Sequence, residues 1–223
     1  MPSPHSVAYL TDVEGRWDKL LEFTRANPLV SLDAAGRMRR LIEDLLAFSR
    51  VSTRAQEYEP VDLNRVLADV RSVFEVRLEE TRGRLHFERM PQVIGDESQL
   101  RQVFQNLIGN ALKFAKPEIA PEITITATRL SELPGVVDPP AAFAEGWRLI
   151  VRDNGIGFEQ EYAQRIFELF QRLHGRQQFE GTGLGLAISR KIVLRHGGMI
   201  QARGELGHGA SFIIDWPSVP EAA

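Results

Sequence analysis

The chain has 223 residues, of which 43% are hydrophobic and 26% charged, with a formal net charge of −3. That composition describes a soluble globular chain of one or two domains, long enough to bury a core, and argues against a large electrostatic footprint for nucleic acid. With no cysteine, disulfides and thiolate metal sites are excluded. No apolar run approaches the roughly 18 residues of a membrane span, and the N-terminus lacks a signal-peptide core, so the expected location is the cytoplasm.

Taken in order, Ser6–Leu10 reads as a short strand, residues 11–15 as an acidic turn and Trp17–Ala26 as a helix. Arg37 to about Gln56 is a strong helix, with Met38, Leu41, Ile42, Leu45, Leu46 and Phe48 forming an apolar face that needs a partner. Tyr58-Glu59-Pro60 is a break. Asp62 is then the N-cap of a second amphipathic helix running to about Thr81. Short strands are expected at Leu85–Phe87 and at Val93-Ile94, paired side by side. Asp96 and Gln99 form a capping pair at the start of a helix to Phe114, with Leu100, Val103, Phe104, Leu107, Ile108 and Ala111 facing a core. Residues 123–129 alternate as a strand with one wet face. Residues 130–145, with four prolines or glycines among them, form a surface loop; Trp147–Arg152 is another strand and Tyr162–Phe170 a short helix. Leu186–Arg195 is a helix closed by Gly197-Gly198, and Met199–Arg203 with Ser211–Trp216 make a terminal hairpin. This order defines an α+β fold, helices on one face of a mixed or mostly antiparallel sheet.

Three clusters carry chemistry. Asn106, Asn110 and Lys113 lie at i, i+4 and i+7, on one face beside the apolar one. Such a stripe either holds a metal ion and polyanionic oxygens or is merely solvated. Asp153-Asn154-Gly155-Ile156-Gly157 ends a strand; it is either an ordinary turn or a carboxylate placed to accept from an exocyclic amine such as that of adenine. Gly181-Thr182-Gly183-Leu184-Gly185 precedes a helix, so free N–H groups and the positive end of the helix dipole converge on a point suited to phosphate. A Rossmann loop would follow a strand within a βαβ unit, and a Walker loop would carry Gly-Lys-Ser/Thr; neither context is present.

The ordered set Asn106–Phe114 (NLIGNALKF), Asp153–Phe158 (DNGIGF), Phe167–Phe170 (FELF) and Gly181–Ser189 (GTGLGLAIS) resembles the N, G1, F and G2 boxes of sensor histidine kinases, over about residues 60–217. Residues 170–198 are especially similar to kinases related to bacterial phytochromes. The resemblance implies a Bergerat-type (GHKL) ATP-binding sandwich, with ATP and Mg²⁺ as cofactors. It makes Asn110 the Mg²⁺ ligand, with Asn106 in the same pocket, Lys113 on phosphate oxygens, Phe114 near adenine and Asp153 accepting from the adenine amino group. Gly155 and Gly157 would give the nucleotide room, and the loop of Gly181, Thr182, Gly183, Leu184 and Gly185 would turn its amides to phosphate. Residues 159–182 would form an ATP lid anchored by Phe167 and Phe170, with Arg172 a lid cation and His174 and Arg176 weaker candidates. Related ATPases of the gyrase, heat-shock chaperone and mismatch-repair types place Glu where Asn106 stands, as a general base for water. A carboxamide cannot take up that proton, which favours phosphoryl transfer, with Asn106 and Lys113 as the catalytic pair.

None of the five histidines (His5, His86, His174, His196, His208) has the His-Glu/Asp-Leu-Arg-x-Pro context of an acceptor. Residues 37–56 resemble the second helix of a dimerisation and phosphotransfer hairpin whose first helix is not evident. Asp12-Val13-Glu14-Gly15-Arg16 resembles the opening signature of calcineurin-like metallophosphoesterases, with Glu14 where that family has His; its later signatures are absent. The expected organisation is a phosphoesterase-like segment (1–34), a remnant dimerisation helix (35–58), a kinase catalytic and ATP-binding domain (59–219) and a tail (220–223). The expected function is that of a two-component protein-histidine kinase donating the ATP γ-phosphate to a histidine supplied in trans. Expected partners are a second copy through residues 35–58, a histidine-bearing dimerisation domain and a response regulator, with no nucleic acid. The alternatives are a silent ATP-binding module and, remotely, a metallophosphoesterase.

Overall fold

The computed structural model describes residues 28–53, 58–133, 143, 146–173, 179 and 181–218. The strand, turn and helix expected over residues 6–26, and the phosphoesterase-like residues 12–16, lie outside the described residues. So do His174 and Arg176. The chain forms two compact units, residues 1–43 and 44–223, whose boundary falls inside the first described helix.

That helix, α1 (Pro28–Thr53), starts earlier than the periodicity predicts. Proline stands at its first position, where the missing N–H costs no bond. In the first unit, Met38 and Ile42 of α1 are exposed, and Arg39 pairs with Glu43 one turn on.

The second unit begins with the last turns of α1, where Leu45 and Leu46 are exposed and Val51 is buried. The expected break at residues 58–60 is instead the entry to a strand, β1 (Glu59–Asp62), which pairs antiparallel with β3 (Gln92–Gly95). β3 therefore does not lie beside β2 (Arg84–Phe87), as its sequence suggested; β2 runs parallel to β4 (Glu122–Arg129). Strands this short carry too little pattern to choose a partner, and the choice falls to long-range packing.

The helix expected over 62–81 is two helices. Asp62 caps α2 (Leu63–Val73), accepting from the Asn64 N–H, and Phe74 breaks the run before α3 (Glu75–Thr81). The amphipathic pattern continues through the break because Leu63, Val66, Leu67, Val70 and Leu78 all reach the core.

α4 (Glu97–Lys113) buries Leu100, Val103, Phe104, Leu107, Ile108 and Ala111, as the 3.6-residue spacing requires. Its cap departs from the capping box. Asp96 Oδ1 accepts from the Ser98 and Gln99 N–H groups, but the Asp96 N–H donates to His196 Nε2 at 3.1 Å. That leaves the Gln99 side-chain oxygen buried without a partner among the described residues. A histidine 100 residues away has taken the donor that Gln99 was expected to satisfy.

β4, β5 (Trp147–Asp153), β7 (Gly209–Trp216) and β6 (Met199–Glu205) pair antiparallel, giving one mixed five-stranded sheet in the order β2-β4-β5-β7-β6. Ile123, Ile125, Leu149, Val151, Phe212 and Ile214 from its strands are buried with α2, α4 and α5 (Gly185–Arg195). The fold is α+β, a helical layer over one mixed sheet. The expected helix at 162–170 is instead two single 3₁₀ turns, Gln160–Tyr162 and Arg165–Phe167.

Candidate nucleotide-binding site

α4 places Asn106, Asn110 and Lys113 along one wall of a cleft of about 340 Å³, within the range of small-molecule sites. Across it stand Asp153 and Gly157 from the end of β5, and Gly181, Thr182, Gly183 and Gly185 from the loop that opens α5. Phe114 and Arg172 also line it. Fold and packing thus bring together residues of three segments, 24 to 79 positions apart, that the sequence presents only as separate motifs.

Asn106 joins the two helices of the site. Its Nδ2 donates to Gly185 O (2.9 Å) and to Ser189 Oγ (3.2 Å), so α4 is clamped to the first turn of α5. The Asn110 carboxamide lines the cleft and makes no hydrogen bond to a described residue. An uncommitted amide oxygen suits a hard divalent cation, and Mg²⁺ takes one or two protein oxygens while phosphate and water fill its octahedron. No group of three His, Asp or Glu side chains that would hold a metal alone is found among the described residues. The Asn110 amide oxygen is a donor the cleft offers to a Mg²⁺ carried on a nucleotide. Lys113 Nζ lies 4.5 Å from the centre of the Phe114 ring, and a Cβ built at Gly181 would come within 2.7 Å of it.

Asp153 Oδ1 accepts from the N–H of Gly155 (2.8 Å) and of Ala210 (3.2 Å). Burial pushes its carboxyl above the ordinary carboxylate range, against the pull of those two donors and of Lys116. Its other oxygen is left for an incoming donor. Phe158, Ile166 and Phe212 supply apolar wall to the same cleft, the environment a flat heterocycle takes.

Gly157 and Gly183 are required by the protein's own backbone. Gly157 has φ +65°, and a Cβ there would stand 2.0 Å from Glu205 O in the hairpin; Gly183 has φ +77°, with Gln171 O at 2.9 Å. At Gly155, too, the crowding atom is protein backbone, Phe114 O at 2.6 Å.

Four of the expected residues do not line the cleft. Gly155 sits behind Asp153, Leu184 is fully buried, Phe167 is buried edge-on against Phe212 (6.4 Å), and Phe170 is 58% exposed with φ +61°. Arg172 lines the cleft, but its guanidinium donates to Gly181 O (2.9 Å) and to Phe179 O. Sequence reasoning missed Asp44, whose carboxylate accepts from Thr182 Oγ1 at 2.5 Å inside the cleft, and Arg77 on α3. It also missed Phe179, whose ring lies 4.9 Å from that of Phe114. Asp44 and Arg77 lie outside the four boxes, and Phe179 falls inside the expected lid without being singled out there.

An α+β sandwich whose helical layer and glycine loop enclose a cleft with an amide wall and a carboxylate floor defines the GHKL class of ATP-binding domain. The chain belongs to that family: the model for histidine kinase-, DNA gyrase B-, and HSP90-like ATPases matches residues 95–220, more than half of the chain. Among curated proteins it is 37% identical over 211 residues to cyanobacterial phytochrome A of Nostoc sp. (strain PCC 7120), covering 94% of this chain and 26% of that protein. It is likewise 37% identical over 180 residues to the sensor histidine kinase AruS of Pseudomonas aeruginosa, covering 77% of this chain and 17% of the other. The chain spans 22–26% of the length of the first three curated relatives it matches. Among solved structures, full-length ShkA in complex with AMPPNP superposes with a TM-score of 0.63 at 28% identity, over 100% of this chain and 41% of that one. The catalytic domain of histidine kinase ThkA gives 0.58 at 27% identity, over 74% and 100%.

Proposed function

We propose that this chain binds Mg-ATP in the cleft between α4 and the residue 181–185 loop and donates the γ-phosphate to a histidine. Asn106 carries the reading: where a hydrolase of this class needs a carboxylate base, the chain has a carboxamide already committed to Gly185 O and Ser189 Oγ. Asp153 accepts from the adenine amino group, and Phe114 lies beside the ring. Asn110 holds Mg²⁺, which when bound neutralises charge on the transferring phosphoryl group. Lys113 and the amides of the 181–185 loop orient the phosphates, so catalysis rests on positioning.

The acceptor is a histidine on a dimerisation helix rather than one of the five in this chain. His196, for instance, is fully buried with both ring nitrogens engaged. Residues 35–58 act as the dimerisation segment, residues 59–219 as the catalytic domain, and a response regulator receives the phosphate in turn. The reaction takes place in the cytoplasm; among the described residues no helix is long and apolar enough to cross a membrane.

The decisive experiment incubates the chain with γ-labelled ATP, alone and with a separate histidine-bearing dimerisation domain. Acid-labile label on the added domain is the expected outcome. Label on neither protein, with ATP bound, would leave a binding module without transferase activity.

A further inference from the structure

The cleft's cations are not equivalent. Arg172 spends its guanidinium on Phe179 O and Gly181 O, within its own loop. Lys113 lies over the Phe114 ring and beside Gly181. Arg77 lines the same cleft from α3, is exposed, and forms no ion pair or side-chain hydrogen bond with a described residue. Two carboxylates, Asp44 and Asp153, also face this space. In formal charge Lys113 and Arg172 only balance those two carboxylates, so without Arg77 the lining offers a polyphosphate no net positive charge.

Local geometry brings Arg77 there. The break at Phe74 separates α3 from α2 and lays the Phe74 ring over Gly109 of α4, where an added Cβ would be 3.3 Å from Phe74 Cζ. With no side chain at Gly109, the Phe74 ring, at the junction of α2 and α3, lies directly against α4. Arg77, one turn beyond Phe74, lines the cleft together with Gln105 and Gly109 of α4. Those two residues and Lys113 form an i, i+4, i+8 row, directly next to the row of Asn106 and Asn110. A guanidinium offers a fork of donors matched to phosphate oxygens, and an unpaired one at the mouth of a cleft loses no existing partner on binding.

We infer that Arg77 is a phosphate-binding residue, contacting the outer phosphates of the bound nucleotide across Gly109. The inference rests on the Mg-ATP reading above, and its test separates the two. Calorimetry on the whole chain compares Mg-ATP with AMP for the parent, Arg77→Ala, Arg77→Lys and Asn110→Ala. Arg77→Ala should weaken Mg-ATP about tenfold, the scale of one charge-assisted hydrogen bond, and leave AMP unchanged. Arg77→Lys should recover part of the loss. Equal losses for Mg-ATP and AMP would mark a packing role and overturn the inference. Mg-ATP bound as tightly by Arg77→Ala as by the parent, while Asn110→Ala loses it, would overturn the inference and leave the nucleotide reading standing. A parent chain that binds no Mg-ATP would overturn both.

Discussion

Single residues here hold two kinds of polar group, those the fold has already satisfied and those it leaves open. Asn106 and Arg172 belong to the first kind, Asn110 and the second oxygen of Asp153 to the other. The open pair should carry the binding. Asn110→Ala and Asp153→Ala are each expected to abolish Mg-ATP binding in calorimetry while the circular dichroism spectrum stays that of the parent. Asn110→Ala should leave the unfolding midpoint near the parent's, whereas Asp153→Ala should lower it, because the Gly155 and Ala210 N–H groups lose their acceptor. Retained binding in both variants would remove the nucleotide reading.

His196 shows the satisfied kind at its most demanding. It accepts from the Asp96 N–H at Nε2, and Nδ1 lies 2.8 Å from Ile192 O, so the proton sits on Nδ1 and the ring is neutral. Its ring stacks on Tyr58 (4.3 Å) and packs against Trp216 (4.7 Å). Burial lowers its pKa from the ordinary 6.5, although the Ile192 hydrogen bond and the Asp96 charge pull the other way. Because the unfolded chain binds the proton more readily than the folded one, this contribution to stability is complete above about 6.5 and is lost as pH falls below it. Thermal unfolding midpoints should therefore decline from about pH 6.5 downward in the parent, and His196→Gln should flatten that segment of the profile. An unchanged profile in the variant would assign the loss to other groups.

Among the elements, the loops are where the molecule is least tolerant. The β6–β7 hairpin presses on the residue 153–157 turn, with Gly157 against Glu205 O and Gly209 against Asp153 O, each 2.0 Å from an added Cβ. Gly157→Ala combines a left-handed backbone with that overlap and should cost at least about 2 kcal/mol in denaturant unfolding. A cost under about 0.5 kcal/mol would show that the turn relaxes freely. The end of α1 is tied differently. Lys191 Nζ donates to Phe48 O (2.7 Å) and the Arg195 guanidinium to Val51 O, two cations one turn apart on α5 meeting carbonyls in the last turns of α1. The Asp44–Thr182 hydrogen bond continues that seam into the cleft.

At the scale of the whole molecule, apolar side chains of α1 are exposed in each unit, Met38 (62%) and Ile42 (56%) in the first and Leu45 (52%) and Leu46 (48%) in the second. Exposed apolar side chains of that kind need covering, and a second copy is the proposed cover. The parent should sediment as a dimer at micromolar concentration and the double variant Ile42→Glu, Leu45→Glu as a monomer. A parent that remains monomeric at every concentration would count against the proposal.

The sequence by itself determined the elements whose pattern is long and local: α4 with its two stripes, the alternating β4, the terminal hairpin and the glycine loop opening α5. Their periodicity is a property of one segment and survives without knowing its neighbours. From these alone the fold class and the nucleotide-site motifs were legible. Only the tertiary structure decided the partner of β3, the break at Phe74, the loss of the Gln99 cap to His196, and the presence of Asp44 and Arg77 in the cleft. Each depends on groups far apart in the chain competing for one hydrogen bond, one strand edge or one volume. Such competition is settled by packing and leaves no trace in the spacing of residues along a single element.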